Sequence, residues 1–122
     1  MIKKSLAMAA AIAALAVAST AAEAHPRLKS SNPASHATLK TSPNAIRLNF
    51  SEGLIASFSG LTLTNGGRTV ATGAPTVSGR DNTSLVVPLR APLKPGAYSV
   101  AWHAVSVDTH RVSGSYSFKI AR

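Results

Sequence analysis

Apolar and polar residues alternate along most of the chain after residue 25. The alternation is clearest in segment 44–51 (NAIRLNFS), where Ile46, Leu48 and Phe50 share one face. A period of two is the pattern of a strand with one buried face, because successive side chains of extended backbone point in opposite directions. The segment therefore predicts a β-strand that directs these three apolar side chains into the core.

Similar patterns, bounded by turn residues, occur in six other segments: 28–31, 60–64, 68–72, 83–89, 97–107 and 113–121. The sequence Asn-Gly-Gly at 65–67 is a strong hairpin-turn signal, and Pro88 indicates an edge strand or a strand end. The one helix-like stretch, 52–58, is long enough for only a turn or two. About seven short strands joined by turns predict an all-β protein with a single β-sandwich domain.

The N-terminal segment has the composition of a cleaved secretory signal peptide. Two lysines precede an uncharged, alanine-rich stretch at 5–18, and the sequence Ala-Glu-Ala at 22–24 fits the small-x-small cleavage pattern. The apolar stretch is shorter than the roughly 20 residues that span a bilayer, so we favour cleavage over a membrane anchor. Cleavage of the leader 1–24 leaves a domain at 25–122 that begins with His25, whereas a cut two residues earlier would leave an acidic residue first.

The composition narrows the class of function. The chain has 13 Lys and Arg against four Asp and Glu, a formal net charge of +9. The basic residues are scattered singly with few aromatic residues among them, so we expect no nucleic-acid partner. A solvated basic surface is the first interpretation, and weak attraction to an anionic membrane is the second. The sequence contains no Cys and no Gly-x-Ser-x-Gly motif, and we expect a protein that is not an enzyme.

Asp108 and His110 form the densest cluster of potential metal ligands, in a segment that we predict to connect the last two strands. In extended backbone, residues i and i+2 point the same way. A carboxylate oxygen and an imidazole nitrogen are therefore expected to face one metal ion. An Asp-x-His pair alone is a weak signal, since most such pairs lie in ordinary turns.

His25 strengthens this signal if it is the first residue of the exported protein. Its free α-amine and its Nδ1 atom then form a six-membered chelate, which suits the tetragonal nitrogen and oxygen coordination of Cu(II). Pro26 has no backbone N–H, so the next nitrogen along the chain cannot join the chelate. The alternative is that His25 is only the residue at which the leader is cut. Both methionines, Met1 and Met8, lie in the leader, so the domain has no soft sulfur ligand for Cu(I).

With these residues in place, the chain resembles the CopC family of periplasmic copper-resistance proteins over essentially the whole predicted domain. The motifs that carry the resemblance are HPRL at 25–28, SSNPA at 30–34, LNFSE at 48–52, PGAY at 95–98, WHAVSVDTH at 102–110 and GSYSF at 114–118. Together they are specific, although none of them is specific alone.

The resemblance implies an immunoglobulin-like Greek-key β-sandwich that holds one Cu(II) ion near one end. The implied ligands are His25 (through its amine and Nδ1), Asp108 and His110. Glu52 is expected close to the site, where it holds a ligand or a water in position; the alternative is a solvated acid at a strand end. Some members carry a methionine-rich Cu(I) site, but segment 65–79 of this chain has no Met and no His, so we predict that the Cu(I) site is absent.

The implied function is periplasmic copper homeostasis and resistance, in which the protein sequesters or delivers Cu(II). The family also implies a CopD-type inner-membrane partner, and nothing in the sequence requires more than a monomer. One rival function is a copper-dependent oxygenase that uses the N-terminal histidine, and another is a metal-free immunoglobulin-like interaction domain. We expect His36 in a polar loop and His103 on the opposite strand face from Trp102 to have surface or structural roles.

Overall fold

Nine β-strands carry the fold of residues 25–122, the part of the chain that this computed structural model describes. The strands are β1 (Leu28–Asn32), β2 (Thr38–Leu39), β3 (Ala45–Phe50), β4 (Gly60–Asn65), β5 (Arg68–Val70), β6 (Thr76–Ser78), β7 (Ser84–Pro88), β8 (Gly96–Val105) and β9 (Arg111–Ile120). Short 3₁₀ turns occupy Ala56–Phe58 and Arg80–Asn82. No helix in this part of the chain has the length and apolar character needed to cross a membrane. The predicted leader at 1–24 lies outside the described residues.

The strands form two sheets. One has four strands in the order β1-β3-β7-β6, and the other has five in the order β2-β9-β8-β4-β5. The neighbouring strands pair antiparallel, except that β2 lies parallel to the end of β9. β8 and β9 are the longest strands, each of ten residues, and they form the centre of the larger sheet.

The core lies between the two sheets, as the alternating pattern predicts. In β3, Ile46 and Leu48 are completely buried, while Arg47 between them is exposed. The other sheet contributes residues that include Leu63, Val100 and Phe118. A single cluster therefore joins both sheets, and the predicted all-β sandwich is confirmed.

The structure has nine strands where the sequence predicts about seven, and the ends of the predicted strands shift by up to two residues. β2 and β6 were not predicted, because two and three residues are too few to show a period of two. They exist because tertiary neighbours pair with them, β9 in one case and β7 in the other. Pro88 ends β7, as predicted from its missing backbone donor.

The antiparallel registers define two opposite ends of the sandwich. Val105 pairs with Arg111 at one end of the β8–β9 ladder, and Gly96 pairs with Ile120 at the other. We call the first end the histidine pole, formed by residues 25–27, 51–59, 79–83 and 106–110. We call the second end the basic pole, formed by residues 40–44, 65–68, 89–95 and 121–122.

Candidate metal centre

The segment that contains His25 is held against the end of β3 by backbone contacts. The N–H of Arg27 donates to the Ser51 hydroxyl at 2.8 Å, and the N–H of Ser51 donates to the Arg27 carbonyl at 2.9 Å. Pro26 is buried, and Leu28 is paired with Phe50 in the β1–β3 ladder. These contacts fix the start of the domain at the histidine pole.

His25 and His110 are brought together there, although they lie at opposite ends of the domain sequence. Their ring centroids are 5.0 Å apart, and the rings meet edge to face at 85°. The Nδ1 atom of His110 is buried and has no hydrogen-bond partner among the described residues. A buried polar atom without a partner costs about 1–3 kcal/mol, so this nitrogen is suited to an additional ligand.

The turn that positions His110 is built around Ser106, which is completely buried. The Ser106 N–H donates to the His110 carbonyl at 2.9 Å, and the N–H of Thr109 donates to the Ser106 carbonyl at 2.7 Å. The Ser106 hydroxyl also accepts the His110 N–H at 3.3 Å. The predicted connecting loop between the last two strands is therefore a closed turn held by one buried serine.

Asp108 lies on this turn, and its side chain is exposed. Thr109, between Asp108 and His110, has a positive φ of 70°, so the backbone here is not extended and the i, i+2 alternation used in the sequence argument does not apply. Within residues 25–122, no three His, Cys, Asp or Glu side chains are grouped so as to hold a metal. The structure pairs the two histidines and leaves the carboxylate of Asp108 outside that pair.

Glu52 is half-buried and directly follows Ser51, the residue bonded to Arg27. Its loop is tied to both neighbouring loops, since the Leu54 N–H donates to the Asn82 carbonyl at 3.0 Å and the Val107 N–H donates to the Gly53 carbonyl at 3.0 Å. The loops that carry Glu52, Asp81 and Asp108 are consequently adjacent.

Those three carboxylates are all the acidic residues of the described chain. Sequence reasoning did not single out Asp81, because no local motif links it to the other two. The three loops are adjacent only through tertiary hydrogen bonds. Their charges make the histidine pole the one place in residues 25–122 where acidic side chains collect.

The remaining histidines lie elsewhere. His103 is exposed on the outer face of the larger sheet, where its ring lies over Gly60 of the neighbouring strand. His36 is also exposed, and its backbone N–H donates to the Ser117 carbonyl at 2.7 Å. Neither ring joins the His25–His110 pair, in agreement with the surface roles expected for both.

Aromatic residues support the floor of the histidine pole. Trp102 and Phe50 meet edge to face with ring centroids 5.2 Å apart, which connects β8 to β3. The Trp102 ring also covers Gly114 so closely that a Cβ atom there would lie 2.6 Å from it. This packing fixes the strand end from which the Ser106 turn departs.

Comparison with known proteins shows the family of this chain. Residues 28–121 match the CopC domain family. The chain is 39% identical over 118 residues to protein YobA of Escherichia coli strain K12, covering 96% of this chain and 95% of that protein. It is 42% identical over 106 residues to copper resistance protein C of Escherichia coli, covering 81% of this chain and 83% of that protein. The crystal structure of PcoC, a methionine-rich copper resistance protein from Escherichia coli, matches with a TM-score of 0.68 at 43% identity, over 80% of this chain and 99% of that one.

Proposed function

The chain belongs to the CopC family, and from that premise we propose that its exported form binds one Cu(II) ion in the periplasm. The ligands are the amine and Nδ1 of His25, a ring nitrogen of His110 and the carboxylate of Asp108. The protein sequesters or delivers this copper in homeostasis and resistance, and it is a monomer that passes the ion to a CopD-type inner-membrane partner.

The observation that carries this proposal is the His25–His110 pair. Two imidazoles 5.0 Å apart, one of them with an unpartnered buried nitrogen, form half of a tetragonal ligand set. Imidazole is a ligand that copper, zinc and nickel share, so the pair supports a metal site without identifying the metal. Copper is supported by the names of the related resistance proteins.

Removal of the leader completes the ligand set. In the uncleaved chain the nitrogen of His25 belongs to a peptide bond with Ala24, and an amide nitrogen binds a metal only after it loses its proton. Cleavage after Ala24 converts it to an amine that chelates together with Nδ1. Cleavage is thereby expected to strengthen copper binding in the exported form.

Asp108 supplies the anionic ligand through a change of its turn. The exposed side chain lies two residues from His110, in a turn whose backbone already contains one left-handed residue, Thr109. Rotation of the Asp108 side chain, or a local rearrangement of this turn, brings the carboxylate to the ion. Glu52, half-buried in the adjoining loop, acts through a hydrogen bond to a ligand or to a water.

The oxidation state follows from the donor types. The related PcoC is described as methionine-rich, whereas both methionines of this chain, Met1 and Met8, precede the domain and Cys is absent. Nitrogen and carboxylate donors suit Cu(II), and thioether donors suit Cu(I). The protein therefore binds Cu(II) and lacks a Cu(I) site.

Electron paramagnetic resonance of Cu(II) tests this function. We compare the exported form that begins at His25 with a form carrying one additional residue before it. A single tetragonal, nitrogen-rich signal that saturates at one equivalent and changes in the extended form is expected. Identical signals in both forms would remove the N-terminal chelate from the site, and the absence of a specific signal in both would leave a metal-free interaction domain.

The dependence of copper affinity on pH provides a second test. Protons compete with the metal for the amine and imidazole nitrogens, so affinity is expected to fall as the solution becomes mildly acidic. Competition titrations with a chelator of known affinity, at several pH values, measure this change. An affinity that stays constant between neutral and mildly acidic pH contradicts a nitrogen-rich ligand set.

A further inference from the structure

The basic pole has a charge distribution unlike that of any other part of the domain. Its exposed side chains include five basic residues and no Asp or Glu: Lys40, Arg68, Arg90, Lys94 and Arg122. The three acids of the described chain all lie at the opposite pole. Five of the eleven basic residues of the described chain therefore lie at one end of the sandwich, with no acid beside them.

The basic pole also contains a cleft. It has a volume of about 340 Å³ and runs between the β4–β5 hairpin and the β7–β8 loop. Arg68, Arg90 and Lys94 line it together with the apolar side chains of Val70 and Leu93. Clefts of roughly 300–1,000 Å³ hold small organic groups, so this one is large enough for more than a bare ion.

Hydrogen bonds fix the cleft walls. The Arg90 Nε atom donates to the Thr72 carbonyl at 3.0 Å, which holds the guanidinium beside β5. The Tyr98 hydroxyl donates to the Lys94 carbonyl at 2.7 Å, and the Asn65 side chain donates to the Ala97 carbonyl at 2.8 Å. The cationic side chains therefore belong to segments that hydrogen bonds hold in place.

We propose that the basic pole docks on an anionic phospholipid membrane, with a headgroup phosphate seated between Arg68, Arg90 and Lys94. Guanidinium and ammonium groups are the usual partners of phosphate oxygens, and the apolar wall fits the glycerol portion of the lipid. The basic residues come from four separate segments across one end of the molecule, and such a spread matches a flat anionic surface better than it matches a single peptide. An exported protein meets such a surface on either side of the periplasm.

Docking at this pole determines the orientation of the domain. β8 is ten residues long, and at about 3.3 Å per residue it holds the two poles about 30 Å apart. The histidine pole consequently faces away from the bound membrane. The inference depends on the charges and the cleft, and it holds whether or not the protein binds copper.

Vesicle sedimentation with the metal-free domain 25–122 tests the proposal, since all nine strands lie within these residues. Binding is expected to vesicles of equal parts phosphatidylglycerol and phosphatidylcholine, and not to phosphatidylcholine alone. Raising the ionic strength from about 0.01 M to about 0.15 M shortens the screening length from about 30 Å to about 8 Å, so binding should weaken strongly. Failure to bind the anionic vesicles at low salt would overturn the proposal.

Two triple variants, each of which removes three positive charges, show which surface binds the membrane. Each near-surface basic residue contributes about five-fold to binding, so Arg68→Gln, Arg90→Gln and Lys94→Gln together should weaken it by about one hundred-fold. The matched control, Lys29→Gln, Arg80→Gln and Arg111→Gln, removes the same charge outside the basic pole and should change binding by less than about five-fold. Equal losses in the two variants, at equal thermal stability, would contradict a specific pole.

Inorganic phosphate identifies the source of the phosphate group. At constant ionic strength, replacing chloride by phosphate is expected to leave vesicle binding within about two-fold, because many lipid contacts act together across the pole. If phosphate instead abolishes binding, the cleft is a site for free phosphate and the membrane proposal is wrong.

Discussion

The two poles of the sandwich use the same architecture for opposite chemistry. The histidine pole gathers two imidazoles and all three carboxylates of the described chain, whereas the basic pole gathers five cations and no acid. Both are built from loops at strand ends, over a core that neither interrupts. The strands therefore set the distance between the two kinds of site, and the loops set the residues that each contains.

The poles are expected to behave independently. Their separation of about 30 Å exceeds the screening length of about 8 Å at physiological ionic strength. Substitutions this far apart and without shared partners usually have additive effects. A variant at one pole should therefore leave binding at the other pole unchanged.

The largest effect is expected from His110→Ala at the histidine pole. Loss of a coordinating imidazole should weaken Cu(II) binding by more than about one hundred-fold, because loss of a group that only supports a ligand already costs about 10–100-fold. His103→Ala and His36→Ala are the matched controls, and both should keep the affinity of the unchanged protein. Isothermal titration against a competing chelator measures all three, and equal losses would show that the ligands are wrongly assigned.

Gly53→Ala tests the contact between the acidic loops. A Cβ atom at residue 53 would lie 2.6 Å from the backbone oxygen of Asp81, and backbone cannot move aside cheaply. We expect the free energy of unfolding to fall by about 1–3 kcal/mol, as measured by urea denaturation. Copper affinity should fall with it, while binding to anionic vesicles stays constant. If vesicle binding falls together with copper affinity, the two poles are coupled through the core.

Glu52→Gln should produce a smaller change at the same pole. The substitution keeps the size of the side chain and removes its charge, so a loss of about ten-fold in Cu(II) affinity is expected if the carboxylate orients a ligand. Asp81→Asn removes an equal charge from the neighbouring loop and is the control. If both variants lose Cu(II) affinity equally, the loss comes from the summed negative charge of the histidine pole rather than from a specific role of Glu52.

The smallest effect is expected midway between the poles, at Tyr116. Burial raises the pKa of its phenol above the usual 10.0, while the Ser31 side chain opposes this shift, and the hydroxyl has no hydrogen bond of ordinary geometry. Tyr116→Phe removes a buried hydroxyl that makes only a weak contact with Ser31, so the free energy of unfolding should rise by about 1 kcal/mol near neutral pH.

The raised pKa also predicts the direction of the alkaline response. The neutral phenol is favoured in the folded state, so its contribution is complete below pH 10.0 and is lost as the pH rises through the higher folded-state pKa. The free energy of unfolding, measured by denaturation at a series of pH values in this range, should fall less steeply with pH for Tyr116→Phe than for the unchanged protein. Identical slopes would mean that Tyr116 ionises equally in the folded and unfolded chain.

Local sequence was sufficient for the long strands. Ile46, Leu48 and Phe50 alternate with polar residues, and this period of two predicted both the strand β3 and its buried face. The hairpin turn between β4 and β5 followed from its Asn-Gly-Gly sequence, since Gly66 and Gly67 both adopt positive φ. Composition alone likewise limits the metal chemistry, because Cys is absent and Met is confined to the predicted leader.

Tertiary structure alone decided how the site residues meet. His25 and His110 come together because β1 pairs with β3 and because the Ser106 turn closes at the same end of the sandwich. The positive φ of Thr109 directs Asp108 away from the alternation that its sequence spacing implied. The adjacency of the acidic loops and the grouping of five basic residues at the other pole also depend on contacts between distant segments. A local pattern records which way one strand faces, but pairing and turn conformation depend on partners that the local sequence does not contain.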